Sequence, residues 1–420
     1  MSNQYTERFR FTSLGLPEDT FHVIRFSGTE GLNTLFSFKI ELVSANVAVD
    51  SMAVLHSRAK LTVERLDGTP ATFTGYPSEM TQSGHFNGYT YYSVTLRPTF
   101  WKLTQIVQSH LFLGQDVQST ATELLTAQPY FAFPHEFRLL RTDYPTPDFA
   151  MQHDETVYEY LCWRLEDQGI SYFFEQQDLV DKLVFTDTPD AHTRLATPSL
   201  RYSPPSGMQG AHVEEVVTAF NLSCTQLPQQ VVIRTYNWHN PNKPIVGKAP
   251  VAADGLGDVY LTHENVTSDA EANRLAQIRA EELLCRSRVF SGTSAVPTLR
   301  PGFVFTLTNH YNPAFNQDYF LTAVTHEGSQ EAFLTLGLGL PMHNVKDHYF
   351  YHNTFSCIEA QKPFRPARLT RRASINGVIH AFIDGAGSGA RPELDEHGRY
   401  KVLFPFDVSA RKDGNASCWI

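Results

Sequence analysis

Ala59-Lys60-Leu61-Thr62-Val63-Glu64-Arg65-Leu66-Asp67-Gly68-Thr69-Pro70-Ala71-Thr72-Phe73-Thr74-Gly75-Tyr76 decides the fold class. Residues 59–65 and 72–76 read as two strands around Asp67-Gly68, a pair that tolerates positive φ and so makes a tight hairpin turn. The pattern continues on both sides. Residues 21–26, 37–43 and 90–96 carry strand signals, punctuated by Gly28, Gly31 and Asn87-Gly88. Short strands at this spacing predict a sandwich or barrel.

Composition agrees. With 30 Phe and 18 Tyr in short runs, the chain suits pleated, half-buried surfaces, and 42% hydrophobic residues over 420 positions can fill several cores. The 44 acidic against 34 basic side chains give a net charge of −10 without a polybasic block, which argues against nucleic acid as a partner. Residues 1–10 are polar where a signal peptide needs an apolar run, so cytoplasmic synthesis without a cleaved leader is expected. No apolar run reaches the roughly 20 residues of a membrane-spanning helix. The five cysteines (Cys162, Cys224, Cys285, Cys357 and Cys418) are isolated and odd in number, which disfavours a disulfide framework and a zinc ribbon.

Beyond residue 105 the pattern changes. Residues 119–127 predict a short helix, with Thr120 and Glu123 at capping-box spacing. Residues 154–168 predict a longer one, in which Val157, Leu161 and Leu165 repeat every four positions and Gly169 stops the helix. A strand over 170–175 follows, then a Pro- and Ser-rich loop over 186–210. Strand signals resume over 213–238, and Ser268 with Glu271 opens a further helix. Further strands are expected at 303–308, 319–325 and 333–338. This yields β-rich regions at 1–105 and 211–345, the second with a helix at 268–288, separated by an α+β insertion at 106–210. Pro363, Pro366, Arg365, Arg368, Arg371 and Arg372 mark 346–374 as a stiff basic linker, and 375–420 opens a final domain with strands at 375–383 and 400–404.

Signals for chemistry are weak, and no catalytic, cofactor-binding or metal-binding residue is assigned. Asp395-Glu396 offers paired carboxylates, but strand neighbours point to opposite faces. His348 and His352 would share a helical face, yet Tyr-Phe-Tyr lies between them and no carboxylate pair is near. The loop 384–389 lacks the Lys and following helix of a phosphate cradle. No nucleophile elbow or zinc-protease motif occurs.

Three stretches together resemble one family. They are Leu35-Phe36-Ser37-Phe38 with Leu96-Arg97-Pro98-Thr99-Phe100-Trp101-Lys102-Leu103; the helix-and-strand run 158–175, centred on Glu166-Asp167-Gln168-Gly169-Ile170-Ser171-Tyr172-Phe173-Phe174-Glu175; and Asp395-Glu396-His397-Gly398-Arg399-Tyr400-Lys401-Val402-Leu403-Phe404-Pro405-Phe406-Asp407. In order and spacing they resemble the VgrG proteins, the spike component of type VI secretion systems, related in build to the hub and spike of contractile phage tails. The resemblance implies a mainly β (α+β) chain with two similar β-barrels, 1–105 and 211–345, an inserted α+β region, and the start of an OB-fold at 375–420. It implies a homotrimer whose barrels form a pseudo-sixfold ring on a hexameric tube. A needle beyond the OB-fold would meet a tip protein, effectors and the target membrane, and the type VI system would export the protein without a signal peptide. The sequence is expected to stop within the OB-fold. A structural protein without cofactors is therefore expected, with a phage baseplate hub as one alternative and a cell-wall carbohydrate hydrolase using Asp384, Asp395 and Glu396 as another.

Overall fold

A computed structural model describes residues 7–127, 133–139, 144–204, 214–262, 264–331, 334, 350–384, 393–407 and 418–420. The first strands are β1 (Phe9–Ser13), β2 (His22–Gly31), β3 (Ser37–Ser44), β4 (Ala59–Glu64), β5 (Pro70–Phe86), β6 (Tyr89–Arg97), β7 (Val107–Leu113) and β8 (His135–Arg138). Next come β9 (Phe149–Thr156), β10 (Ser171–Gln177), β11 (Val180–Thr186), β12 (Thr193–Arg201), β13 (Val217–Cys224), β14 (Gln230–Thr235), β15 (Ile245–Pro250) and β16 (Asp258–Leu261). The last are β17 (Arg288–Ser294), β18 (Phe303–Thr308), β19 (Asp318–Ser329), β20 (Phe350–Glu359), β21 (Phe382–Ile383), β22 (Lys401–Leu403) and β23 (Cys418–Trp419). The helices are α1 (Ser51–Leu55), α2 (Val117–Thr126), α3 (Val157–Gln168) and α4 (Asp269–Leu284). The fold is mainly β, as the aromatic, alternating strands imply.

Contacts divide the chain into two compact units: Met1–Thr99, Pro134–Leu139 and Ser171–Pro366 in the first, and Phe100–Phe133, Leu140–Ile170 and Ala367–Ile420 in the second. In the first unit a single sheet runs β1-β4-β5-β6-β3-β2-β19-β20-β17-β13, with β18 on β19 and β12 on β18. Strands from both ends of the sequence therefore share one ladder. The two turn signals behave as their chemistry demands: Gly68 (φ 79°) turns β4 into β5, while Asn87 (φ 52°) and Gly88 (φ 82°) turn β5 into β6.

This sheet folds into two barrels. The first comprises β1, β4, β5, β6, β3 and β2, and the gap between β1 and β2 is closed by one side chain. The Gln330 carboxamide, 1% exposed, accepts from Arg8 N (3.2 Å) and Phe9 N (3.0 Å) and donates to Phe9 O (2.9 Å) and Val23 O (2.8 Å). It thus supplies the donors and acceptors that a neighbouring strand would give. Inside lie Phe9 and Phe26, edge-to-face at 5.1 Å, with Phe38 and Phe73 at 4.3 Å. The second barrel runs β13-β17-β20-β19-β18-β12 and is closed by a parallel bridge from Tyr202 to Val217. Phe220, Phe290, Phe305, Tyr319 and Phe355 fill it.

Two smaller sheets complete this unit. One is β15-β14-β16, covered by α4 through Val231, Ile233, Ile245 and Ala276; the other is β10-β11-β8. In the second unit β7 pairs with β9, α3 ends at Gly169 in the left-handed region (φ 72°), and β21-β22-β23 form a short sheet.

Several expectations need correction. The 346–374 linker contains β20, a central strand whose alternation survives in buried Tyr351, Asn353, Phe355 and Cys357 but is disguised by the polar residues at 352–354. The loop over 186–210 contains β12, which tolerates Pro198 because its register against β18 shifts between Arg194 and Ser199. The cap of α2 is Asp116, accepting from Ser119 N, and Thr120 instead lies inside the helix with its hydroxyl bonded to Asp116 O. The helix expected at 268–288 ends at Leu284, because β17 begins at Arg288. Of the strand expected at 375–383 only Phe382–Ile383 pairs, with β22. The strand expected at 333–338 and the glycines of the 384–389 loop lie outside the described residues, apart from Leu334.

Gln330→Leu should lower stability by about 3 kcal/mol or more in urea unfolding, since it strands three buried backbone groups at roughly 1–3 kcal/mol each. A loss below about 1 kcal/mol would show that Gln330 does not close the barrel.

Candidate functional site

Polar residues break the inward apolar phase on three adjacent strands. On β2 the inward series is Phe26, Gly28, Glu30; on β19 it is Val324, His326, Gly328; on β20 it is Tyr351, Asn353, Phe355. Because β2 pairs with β19 and β19 with β20, these side chains meet in one buried chain. His326 Nε2 lies 3.1 Å from Glu30 Oε2, and His326 Nδ1 lies 2.7 Å from the Tyr351 hydroxyl. Asn353 Nδ2 donates to Tyr351 Oη (3.0 Å) and to Val296 O (2.8 Å). At the other end Arg300 donates to Glu30 Oε1 (3.2 Å) and to Thr72 O, and its guanidinium lies 4.1 Å over the Phe73 ring.

The charges follow from this geometry. Burial pushes the Glu30 carboxyl up, but Arg300 and His326 more than offset it, so Glu30 stays ionised below its ordinary range. Burial holds His326 below the ordinary imidazole value despite Glu30, which leaves it neutral. Burial likewise keeps the Tyr351 phenol protonated. Neutral His326 then donates from Nε2 to Glu30 and accepts at Nδ1 from Tyr351.

Tyr, His and Glu in series are acid–base residues, yet His326 is 0% exposed and rings from Phe38 (5.6 Å) and Phe73 (5.1 Å) cover it. No substrate reaches the imidazole. The group instead joins the barrels: Glu30, Thr72 and Phe73 belong to the first, and Asn353 and the Val296 and Arg300 segment pack with the second. A second tie is Arg65, whose Nε and Nη2 donate to Glu215 Oε2 at 2.9 and 2.7 Å.

The residues weighed from sequence do not converge. Asp395 is taken up in its own turn, accepting from His397 N (2.9 Å), Arg399 N (2.8 Å) and Arg399 Nε (2.5 Å). Burial raises its pKa, but these bonds outweigh it and keep the carboxyl ionised. Glu396 projects into solvent beside His397. Asp384 donates its N–H to Lys401 O. His352 sits on strand β20, 3.4 Å from Glu327, rather than on a helix, and His348 lies outside the described residues. Among the described residues no group of three or more His, Cys, Asp or Glu is placed to hold a metal ion. The linker arginines pair locally: Arg365 with Glu281 (2.7 Å) in the first unit, and Arg368 with Asp167 (3.1 Å) in the second. Sequence reasoning missed Glu30, Arg300 and His326; the available signal was a polar residue at an inward position on each of several strands.

Breaking a buried ion pair on one side costs about 3–5 kcal/mol, whereas exposed pairs contribute roughly 0–1 kcal/mol. Arg300→Met should therefore destabilise the protein severely in thermal or urea unfolding, while removal of Arg25, exposed beside Glu41, should change little. Equal effects would remove the buried chain from its joining role.

Comparison with known proteins agrees with this architecture. Residues 29–332 match the family described as phage tail baseplate hub (GPD). Over 411 residues the chain is 25% identical to the type VI secretion system spike protein VgrG1c of Pseudomonas aeruginosa, covering 96% of this chain and 54% of that one. It is 27% identical over 410 residues to the spike protein VgrG5 of the same organism, covering 95% and 50%. The chain thus spans about half the length of the curated relatives it matches. Among solved structures, the E. coli c3393 protein superposes with a TM-score of 0.69 at 20% identity, covering 98% of this chain and 92% of that one. That protein is described as a type VI secretion component with structural similarity to the T4 tail proteins gp27 and gp5.

Proposed function

The chain belongs to the phage tail baseplate hub (GPD) family, and from that premise we propose that it is a structural hub of a type VI secretion spike rather than an enzyme. One observation carries the reading: each chain holds two closed barrels in one continuous sheet, joined where β19 of the second pairs with β2 of the first. Three such chains around an axis present six barrels, which matches the symmetry of a hexameric tube. Thrust through the ring meets ladders whose backbone bonds must break together rather than one at a time.

The second unit carries the path onward. Residues 375–420, with β21, β22 and β23, begin an OB-fold neck in this reading, and a needle beyond it contacts the tip protein, effectors and target membrane. Export then proceeds through the secretion system itself. A phage baseplate hub has the same build, and the genes beside this one distinguish the two.

Light scattering on the full-length protein should give a trimer mass, and the trimer should co-sediment with the hexameric tube protein. A monomer at micromolar concentration would overturn the ring. The hydrolase reading makes the opposite demand on Asp384, Asp395 and Glu396: any cell-wall hydrolysis would have to vanish when all three are replaced by alanine.

A further inference from the structure

The buried chain between the barrels has one direction of hydrogen bonding, and that direction depends on a proton. Val296 O accepts from Asn353 Nδ2, which also donates to Tyr351 Oη; the Tyr351 O–H then has one remaining acceptor within reach, His326 Nδ1. A protonated His326 presents N–H at both ring nitrogens. Tyr351 Oη would face two donors, and its own hydrogen would be left without a partner in the interior, at a cost of about 1–3 kcal/mol. Turning the Asn353 amide offers Oδ1, which has no partner among the described residues, to Tyr351 but takes Nδ2 from Val296 O. No rearrangement of these side chains satisfies every group once the proton is added.

The charged and titratable groups facing His326 are Glu30 from β2, Arg300 from the segment before β18, and Tyr351 from β20. The β3 and β5 strands present only the rings of Phe38 and Phe73. Glu30 and Arg300 already balance each other, so an imidazolium adds an unbalanced buried charge. Tyr351 is also the member of the chain that borders a pocket of about 30 Å³ lined by Arg8, Arg65, Glu214 and Glu215.

We propose that the Tyr351–His326–Glu30 chain is an acid-sensitive latch, in which protonation of His326 breaks the joint that holds the two barrels together. This inference stands whether or not the protein caps a tube. The folded state disfavours the protonated form, so His326 contributes stability that is fully present above its ordinary value of 6.5 and is lost as pH falls below it. Glu30, held low, adds its own loss only below its ordinary 4.5.

The test compares wild type with His326→Gln, whose amide can donate to Glu30 and accept from Tyr351 without titrating. Urea unfolding from pH 8 to pH 5 should show the wild-type folding constant falling, relative to the variant, by about tenfold per pH unit below about 6.5. Hydrogen exchange at the amides of β19 and β20, corrected for intrinsic rates, should accelerate over the same range in wild type but not in His326→Gln. His192→Gln serves as the control for burial alone: burial also depresses His192, to about 4, so its removal flattens the urea profile too, but its ring stacks on Phe320 and not on the Tyr351–His326–Glu30 chain, so exchange at Tyr351–Asn353 of β20 should still accelerate in that variant. Should His326→Gln fail to fold, the ¹⁵N shifts of histidine-labelled wild type decide: the neutral Nε2–H tautomer must persist at pH 6. Parallel pH profiles, or an imidazolium at His326 in folded protein at pH 6, overturn the latch.

Discussion

The two barrels depend on one strand serving two partners on the same side. Along β19, Tyr319 and Phe320 pair with β18, whereas Ala323 through Ser329 pair with β2. The change falls at Thr322, where the register against β20 also shifts between Leu321 and Ala323. An extra residue of this kind bends a strand and increases its twist. The bend is held on both sides: Thr322 Oγ1 donates to Ser356 O (3.0 Å), and Thr322 O accepts from Leu32 N (2.9 Å). Without it, β19 would continue along a single neighbour and only one barrel would form around it.

That one strand is bonded to both barrels makes the polar interior intelligible. An apolar seam between the barrels would be at least as stable as an ionic one, since desolvation offsets most of the Coulombic gain of a buried pair. What Glu30, His326 and Asn353 add is register, because a slip of one residue on any of β2, β19 or β20 would turn a charged or polar group toward solvent and break the chain. Gln330 acts the same way at the β1–β2 seam, where its four backbone bonds admit a single alignment of β1 on β2. Both seams are closed by directional bonds, while the barrel interiors are filled by rings that specify volume more than position.

What the sequence made legible was local. Asp67-Gly68, Asn87-Gly88, Gly169 and the Ser268–Glu271 cap act over a few residues, and each does what its chemistry requires. Strand β20 was hidden because its exposed face is too polar and its inward face includes Asn353, whose acceptable environment exists only once Tyr351 and Val296 are in place. Strand β12 was hidden by Pro198, which a bulged register accommodates. The joining cluster was invisible for a further reason: Glu30 and His326 are 296 positions apart, and nothing local to either predicts the other.

The stretches that carry the family resemblance take on structural roles here. Thr99, in the first, donates its backbone N–H and its hydroxyl to Asp181 (both 2.5 Å), which anchors the end of β6 to β11. Glu166, in the second, accepts from Leu369 N (3.1 Å), Thr370 N (3.0 Å) and Thr370 Oγ1 (2.7 Å), and so fixes the chain that leads toward residues 375–420. Asp395, in the third, orders the turn before β22 through Arg399. The acceptors are carboxylates, those of Asp181, Glu166 and Asp395, taken up by backbone N–H and hydroxyl donors and, at Asp395, by the Arg399 guanidinium. A carboxylate so engaged has its lone pairs committed and is poorly placed to move protons. Of the acids that look most like chemistry in the sequence, Asp395 is therefore one that sets the course of the chain.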